Sequence, residues 1–238
     1  MTFDLRRVHL SIVRDLCERF HGYRSAGGVA AYAFAVFEDG LPVAAYAWQP
    51  PPPGAAKGVC PEAPHGVLAL SRMVAVPKAE RFLRHVSKPL RAQMKHEIDR
   101  TRWPVLVTYS DEGQGHTGYV YQCSGWEKTS RRRVEIRTDR AGARASRYSN
   151  GKTNGRQLTR AGHTFIQRWE HWACARGEAA AWIKRHGWAR VPSMKVLRSG
   201  NRAATWARCG GGEGGDAWVT ASTTDRSGPE RSAPKGFV

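Results

Sequence analysis

The chain has 238 residues, of which 41% are hydrophobic, and a formal net charge of +18 at pH 7. This length and apolar content suit one core of moderate size. The sequence contains no run of about 18 or more apolar residues, so no transmembrane helix is predicted. Five scattered cysteines, odd in number and without a C-x-x-C pair, argue against a disulfide framework and a structural zinc site. The N-terminal segment carries charges throughout and lacks a signal-peptide core, so we expect a cytoplasmic protein.

The positive charge is concentrated in one stretch. Residues 128–208 contain 20 Lys and Arg against four Asp and Glu, whereas residues 1–127 contain 15 against 12 and residues 209–238 three against four. A localised excess mixed with Trp and Tyr favours a polyanionic partner, and a solvated face is the alternative interpretation.

Helical spacing predicts a first helix over residues 9–20, capped by Ser11. Its apolar face is expected to comprise Ile12, Val13, Leu16 and Phe20. Two alternating runs within residues 29–48, joined at Asp39-Gly40, predict a β-hairpin. Residues 54–66 are expected to form a loop, and residues 67–76 a strand.

Pro77 is expected to begin a helix that runs to about Asp99. Its apolar stripe would comprise Leu83, Val86, Leu90 and Met94. A strand over residues 105–109 and a short helix from His116 to Cys123 follow, and one or two strands begin at Trp126.

The later part of the chain is less regular. Residues 140–160 are predicted to form a mobile basic loop, residues 164–187 one or two short basic helices, and residues 191–208 a returning strand. The tail from Gly210, rich in Gly, Ser and Thr, is typical of disorder.

The segment PVLVTYSDEGQGHTGYVYQCSGW, residues 104–126, concentrates the polar chemistry. A buried strand ends in Tyr109-Ser110-Asp111, a glycine-containing turn follows, and His116-Thr117-Gly118 begins the next segment. Because α/β proteins place their sites where buried strands end in polar side chains, the functional site is predicted here.

Asp111 is the first candidate, as a carboxylate that orients an amine and takes its proton, and an N-cap or Asx-turn is the alternative. His116 is a candidate acid–base group, oxyanion donor or metal ligand, or else a capping residue. Tyr109 is expected to share the face of Asp111 by strand alternation, and a core tyrosine is the alternative. Tyr121 is more typical of a core than of a catalytic residue.

Ser71-Arg72 interrupts an apolar strand, and a charge there needs a partner. Arg72 is a candidate for binding a donor's carboxylate or phosphate, or for pairing with Asp111. His21 and Tyr23 close the first helix, either covering a cleft or forming a plain C-cap. A metal set of His21, His65, Asp111 and His116 is conceivable, but its spacing is not diagnostic.

The order of hairpin, strand, helix, strand and short helix ending in Gly-Trp resembles the GNAT-like acyltransferase fold, a mixed α/β sheet flanked by helices whose splayed central strands hold the donor. More specifically, His21-Gly22-Tyr23, the strand LALSRMVAV and the segment TYSDEGQGHTGYVYQCSGW resemble the bacteriophage Mom family of DNA-modification proteins. The resemblance covers roughly residues 10–130. It implies transfer of a carbamoylmethyl (acetamido) group to adenine N6 in double-stranded DNA, which shields phage DNA from host restriction.

On this interpretation Asp111 positions adenine N6, and a flipped base enters the cleft. The other catalytic candidates are Arg72, Tyr109, Ser110, His116 and Tyr121. The substrate-binding candidates are His21, Tyr23, Ser71 and Thr117. The candidates for binding DNA phosphates are Arg131, Arg132, Arg133, Arg137, Arg144, Arg147, Lys152, Arg156 and Arg160.

The chain is accordingly divided into a GNAT-like core (1–138), a basic DNA-binding elaboration (139–208) and a disordered tail (209–238). The loop after the strand 67–76 reads PKAERF and lacks the glycines that cradle a pyrophosphate, so an activated acetyl or glycyl donor is expected rather than conventional acetyl-CoA. Two alternatives stay open: an N-acyltransferase acting on a protein or small amine, and a non-catalytic DNA-binding protein.

Overall fold

The computed structural model describes residues 3–22, 29–76, 86–138, 152–153, 156–157, 159–190 and 206–208. The strands are β1 (Phe3–Arg7), β2 (Tyr32–Glu38), β3 (Leu41–Gln49), β4 (Val67–Ala75), β5 (Val105–Asp111), β6 (Glu127–Thr138), β7 (Lys152–Thr153), β8 (Arg156–Gln157), β9 (Thr159–Trp172), β10 (Trp188–Arg190) and β11 (Trp206–Arg208). The helices are α1 (Leu10–Phe20), α2 (Pro53–Val59), α3 (Lys88–Ala92), α4 (Tyr119–Cys123) and α5 (Ala179–Arg185).

Seven strands form one mixed sheet in the order β1-β2-β3-β4-β5-β9-β6. The predicted hairpin is confirmed as β2 and β3, because Asp39 and Gly40 both adopt positive φ angles, 50° and 80°, as a tight hairpin turn requires. All pairs are antiparallel except β4 with β5.

The parallel pair is short. β4 and β5 are in register only from Val67–Ala69 against Val105–Val107, and beyond this point neither strand is paired with the other. The two central strands therefore diverge toward their carboxyl ends, as the predicted GNAT-like fold requires.

Helices cover both faces of the sheet. On one face, which we call the α3 face, the residues following the undescribed segment 77–85 pack with α4 over Trp48, Leu68 and Leu106. On the other, the α1 face, α1 packs over Ala45, Ala47 and Val74, and α2 and α5 pack over the start of β4 and β5. Among the described residues, no helix is long and apolar enough to cross a membrane.

β9 is the main departure from the sequence prediction. Residues 159–172 form a strand of 14 residues between β5 and β6, where short basic helices were expected, and only α5 in that region is helical. The expectation of helices over residues 164–172 is wrong, because pairing with β5 on one side and β6 on the other satisfies the backbone of this segment. Part of the segment assigned to a basic elaboration thus lies inside the central sheet, and the division into domains stays a prediction.

Other boundaries also differ. Residues 53–59 are helical rather than a loop, with Pro53 at the first helical position. The N-cap of α1 is His9, whose Nδ1 accepts from the Ser11 backbone amide, and Phe20 is exposed rather than packed. The predicted helix start at Pro77 lies outside the described residues, and the described part of this segment contains α3 and a π-helical turn, Gln93–Glu97.

The last predicted elements are only partly described. β11 pairs with β10, which agrees with a returning strand within residues 191–208. The predicted disordered tail lies outside the described residues.

Candidate active site

The site lies in the gap between the diverging ends of β4 and β5. The Thr108 hydroxyl donates to the Leu70 carbonyl over 3.2 Å and closes the base of the gap. A β-bulge in β4 places Arg72 opposite Ala47 but Leu70 opposite Trp48, so Ser71 is the extra residue. The Ser71 hydroxyl donates to the Ala47 carbonyl over 3.0 Å, which holds the bulge.

The bulge explains why a charged residue is tolerated in this apolar strand. It turns Arg72 toward the α1 face, beside Cys17 and His21 at the end of α1, while Leu68 and Leu70 point to the α3 face. Arg72 is half-buried, and its Nη1 donates to the Ser71 carbonyl over 2.6 Å. Ser71 and Arg72 therefore form the β4 side of the gap.

Asp111 ends β5 on the opposite side of the gap and is buried, with 7% of its surface exposed. Its Oδ1 accepts from the Gly113 amide over 3.0 Å and from the Thr164 hydroxyl over 2.6 Å. Asp111 therefore forms the Asx-turn that was the alternative interpretation. The catalytic interpretation is compatible with this turn, because proton transfer requires a carboxylate held in a fixed position.

Two histidines lie at the gap: His116 is close to Asp111, and His21 is close to Arg72 and to His116. Burial, Arg72 and His116 lower the pKa of His21 from 6.5 to about 4. Partial desolvation lowers the pKa of His116 as well, although the charge of Asp111 opposes that shift. Both imidazoles are therefore neutral near pH 7, and His21 is the weaker base because Arg72 and burial both disfavour its cation.

The end of α1 meets the turn after β5 across the mouth of the gap. A Cβ added at Gly22 would lie 2.7 Å from the Gln114 side-chain oxygen, so the two segments are in close contact. Gln114 was not predicted as a site residue, and no sequence signal marks it. Tyr23, which was predicted, lies outside the described residues.

Ser110 and Tyr121 lie on the α3 face, away from Asp111. The Ser110 hydroxyl accepts from Trp169 Nε1 over 3.0 Å and is 1% exposed. Tyr121 packs against Trp126 and Trp169, and burial raises the pKa of its hydroxyl. The structure therefore places these two catalytic candidates in the core on the α3 face of the sheet, whereas Asp111 lies on the α1 face.

Tyr109 shares the α1 face with Asp111, as strand alternation predicted, and packs against the cluster around Val107. His116 precedes α4 instead of starting it, because Gly118 with a φ of 81° is the N-cap, so that expectation is wrong. The Thr117 hydroxyl accepts from the Tyr119 amide over 3.4 Å, a local turn contact.

The turn after Asp111 is held by a second carboxylate. Glu112 accepts from Arg131 Nε and Nη2, each over 2.8 Å, and from Gln167 over 2.7 Å. These hydrogen bonds lower the pKa of Glu112 to about 2. Arg131, predicted to bind DNA, thus also fixes the turn and lies over the Phe165 ring.

The remaining DNA-binding candidates lie along β6 and β9. Arg133 contacts His163, and Arg137 and Arg160 both pair with Glu135. Arg132 is exposed on β6. Lys152 and Arg156 lie in β7 and β8, and Arg144 and Arg147 are outside the described residues.

Thr164, whose hydroxyl donates to Asp111, was not predicted as a site residue. The run TFIQRWEHW, with its β-branched and aromatic residues, was a strand signal that the basic surroundings obscured. No group of three or more His, Cys, Asp or Glu in the described part of the chain is arranged to hold a metal ion.

A mixed sheet whose central parallel strands diverge over a polar gap, with helices on both faces, is the GNAT-like α/β fold. A model of the Mom protein family matches residues 2–174, and the chain belongs to that family. No curated protein matches the chain.

Several solved structures are similar in fold. An IAA acetyltransferase from Bacillus cereus is 11% identical, with 71% of this chain and 100% of that chain covered and a TM-score of 0.43. The ribosomal-protein-S18-alanine N-acetyltransferase from Escherichia coli is 13% identical, with 74% of this chain and 98% of that chain covered and a TM-score of 0.42. A probable acetyltransferase from Staphylococcus epidermidis is 11% identical, with 73% and 100% covered and a TM-score of 0.44.

The lowered pKa of His21 predicts a pH-dependent stability. Between about pH 6.5 and about pH 4 the unfolded chain binds a proton at His21 that the folded chain does not, so the free energy of unfolding decreases as the pH falls through this window. Thermal unfolding measured at about pH 7 and about pH 5 is expected to show a larger loss of Tm for the wild type than for His21→Gln. Equal losses would contradict the prediction.

Proposed function

We propose that this protein is a DNA-modification transferase that adds a carbamoylmethyl group to N6 of adenine in double-stranded DNA, within the cytoplasm of a phage-infected bacterium. The observation that carries the proposal is the fixed Asp111 carboxylate at the gap of a Mom-family chain. Modified adenine would protect the phage DNA from host restriction.

Adenine N6 is a weak nucleophile because its lone pair is delocalised into the ring. In the proposed reaction, N6 forms a bond to the transferred carbon while the bond from that carbon to the donor's leaving group breaks with its electron pair. The N6 proton passes to the Asp111 carboxylate, which Gly113 and Thr164 hold in one orientation. The imidazole of His116, which lies close to Asp111, then relays that proton to solvent or to the leaving group.

The β4 side of the gap fits the donor. Arg72 presents a half-buried guanidinium there, and a guanidinium binds carboxylate or phosphate oxygens through paired hydrogen bonds. The donor is proposed to be an activated acetyl or glycyl derivative, and the glycine-free segment PKAERF disfavours conventional acetyl-CoA.

A stacked and paired adenine keeps its N6 out of reach of a carboxylate inside a gap. The target nucleotide is therefore proposed to flip out of the duplex and enter between β4 and β5, as in other enzymes that act on bases.

The test is nucleoside mass spectrometry on plasmid DNA and whole protein from bacteria that express the chain, beside cells with the empty vector. A deoxyadenosine carrying the carbamoylmethyl mass supports the proposal, and a different added mass on adenine would correct the group transferred. Modified protein or small amines with unmodified DNA would favour an N-acyltransferase. Unmodified DNA and protein, with folded chain recovered, would favour a DNA-binding protein.

Thr164→Val removes the hydroxyl that donates to Asp111 and accepts from Gly113 without changing the side-chain volume much. The modification rate is expected to fall about tenfold, and the free energy of unfolding by about 1–3 kcal/mol, because the buried carboxylate oxygen loses a partner. Thr164→Ser keeps the hydroxyl and is expected to restore most of the rate. Single-turnover rates and thermal unfolding measure both effects, and an unchanged rate for Thr164→Val would show that this hydroxyl does not position Asp111.

A further inference from the structure

The two longest strands of the sheet continue together past the site. β5 ends at Asp111, which pairs with Ile166 of β9. β6 and β9 remain paired for six further rows, from Arg133 with Phe165 to Thr138 with Thr159. At about 3.3 Å per residue, this two-stranded extension, which we call the ribbon (133–138 and 159–165), projects about 20 Å beyond β5.

Few of the described residues outside the ribbon pack against it. In the described part of the chain, residues 159–163 and Phe165 are exposed, residues 134–138 are only half-buried, and Thr164 alone is buried. A two-stranded ribbon with two open faces is marginally stable by itself, so an extension of this length indicates a partner.

The charge of the ribbon defines the chemistry of that partner. Residues 131–138 and 159–165, which comprise the ribbon and its root, contain five Arg and no Lys against one acidic residue, Glu135. Successive side chains on a strand point to opposite faces, so Arg132 and Arg133 at the root present one guanidinium to each face. Arg132 forms no ion pair with any residue in the described part of the chain, and the only side-chain hydrogen bond of Arg133 within it is to His163.

The position of the ribbon links it to the target atom. Arg132, Ile166 and Asp111 occupy one row across three adjacent strands, which places the root of the ribbon about 10 Å from the Asp111 backbone. The major groove of B-DNA is wide enough for a two-stranded β-ribbon and displays adenine N6, whereas the minor groove does not.

We propose that this ribbon docks in the major groove of duplex DNA and thereby brings the groove edge that carries N6 to the site. The inference rests on the proposed function for the identity of the partner. It adds the element that binds, the groove that it occupies and the residues at its root, Arg132 and Arg133.

The test measures binding without any donor, by fluorescence anisotropy with an unmodified 24-base-pair duplex (about two helical turns) over a range of salt concentrations. Arg132→Gln with Arg133→Gln is expected to weaken binding at least about tenfold and to reduce the salt slope by about 1.8, because each lost phosphate contact removes about 0.9. The matched control is Arg6→Gln with Arg7→Gln, which removes the same charge from β1 at the opposite edge of the sheet. Equal effects of the two double variants would overturn the inference.

A variant that is expected to bind DNA more tightly provides a second test, because loss of folding would weaken binding and could not produce this result. Glu135 pairs with both Arg137 and Arg160 on the ribbon and offsets one of their two positive charges, so Glu135→Gln is expected to tighten binding and to steepen the salt slope. Unchanged or weaker binding of this folded variant counts against a docking role for the ribbon.

Chemical footprinting identifies the groove. Bound protein is expected to protect guanine N7, in the major groove, from dimethyl sulfate and to leave adenine N3, in the minor groove, reactive. Duplex RNA of the same sequence is expected to compete poorly, because its deep, narrow major groove does not admit the ribbon. Protection of adenine N3, equal competition by RNA, or no DNA binding by the wild type would each overturn the inference.

Failure of the ribbon inference and failure of the proposed reaction give different results. Ribbon-dependent binding without modified adenine would refute the transferase and retain the ribbon. Modified adenine with binding that is indifferent to Arg132 and Arg133 would retain the transferase and refute the ribbon.

Discussion

Asp111→Asn is expected to reduce the rate of adenine modification by about 10²–10⁴-fold, the usual contribution of a general base. Asparagine keeps an oxygen that accepts from Gly113 and Thr164, so the turn after β5 remains folded. It lacks a basic carboxylate, so the N6 proton has no acceptor at the point where the bond forms. Single-turnover rates with purified protein measure the loss, and DNA affinity and Tm are expected to stay near those of the wild type.

The adjacent carboxylate supplies the control for this experiment. Glu112 is held outside the gap by Arg131 and Gln167, so Glu112→Gln is expected to change the rate less than about tenfold. A wild-type rate for Asp111→Asn would show that this carboxylate only caps the turn. Equal losses for both variants would show that the turn's shape, and not a general base at Asp111, determines the rate.

Gly118→Ala is expected to cause the largest loss of stability among single substitutions near the site. A Cβ at this position would lie 2.6 Å from Cε2 and 2.8 Å from Nε1 of Trp169, and the φ of 81° disfavours any residue with a Cβ. Trp169 is 5% exposed and holds Ser110, so the ring has no room to move away. Overpacking and backbone strain together are expected to cost about 2–4 kcal/mol, or about 5–10 °C in Tm.

Gly115→Ala distinguishes overpacking against Trp169 from backbone strain at positive φ. Gly115 has a similar φ of 73° but no atom within 4 Å of an added Cβ, so Gly115→Ala should lose only the backbone contribution of about 1 kcal/mol. Thermal unfolding of the two variants side by side checks this difference. Equal losses would mean that Trp169 accommodates the methyl group.

Local patterns were sufficient for the first part of the fold. Helical spacing predicts α1, Asp39-Gly40 predicts the hairpin, and the apolar runs predict β4 and β5, because each signal lies within a single element. Alternation along β5 also predicts that Tyr109 and Asp111 share a face. The position of the gap follows from the same strands and from the polar residues that end β5.

β9 was not predictable in the same way. Its sequence mixes Arg, His and Glu with aromatic residues, and its strand geometry depends on pairing with β6 and with β5, whose paired residues lie 55 to 67 positions earlier. The β-branched and aromatic residues of TFIQRWEHW are a strand signal, but the charged residues among them give no regular alternation that distinguishes a central strand from a basic helix.

The sequence by itself determined the elements around the site, the carboxylate that ends β5 and the segment that carries the positive charge, because these are properties of neighbouring residues. The tertiary structure alone decided which side chains from different strands, helices and turns contact one another around the gap. It placed Thr164 on Asp111, joined Glu112 to Arg131, and directed Ser110 and Tyr121 into the core. These contacts join residues up to 59 positions apart, and such partners are selected by the register of the sheet and not by any local pattern.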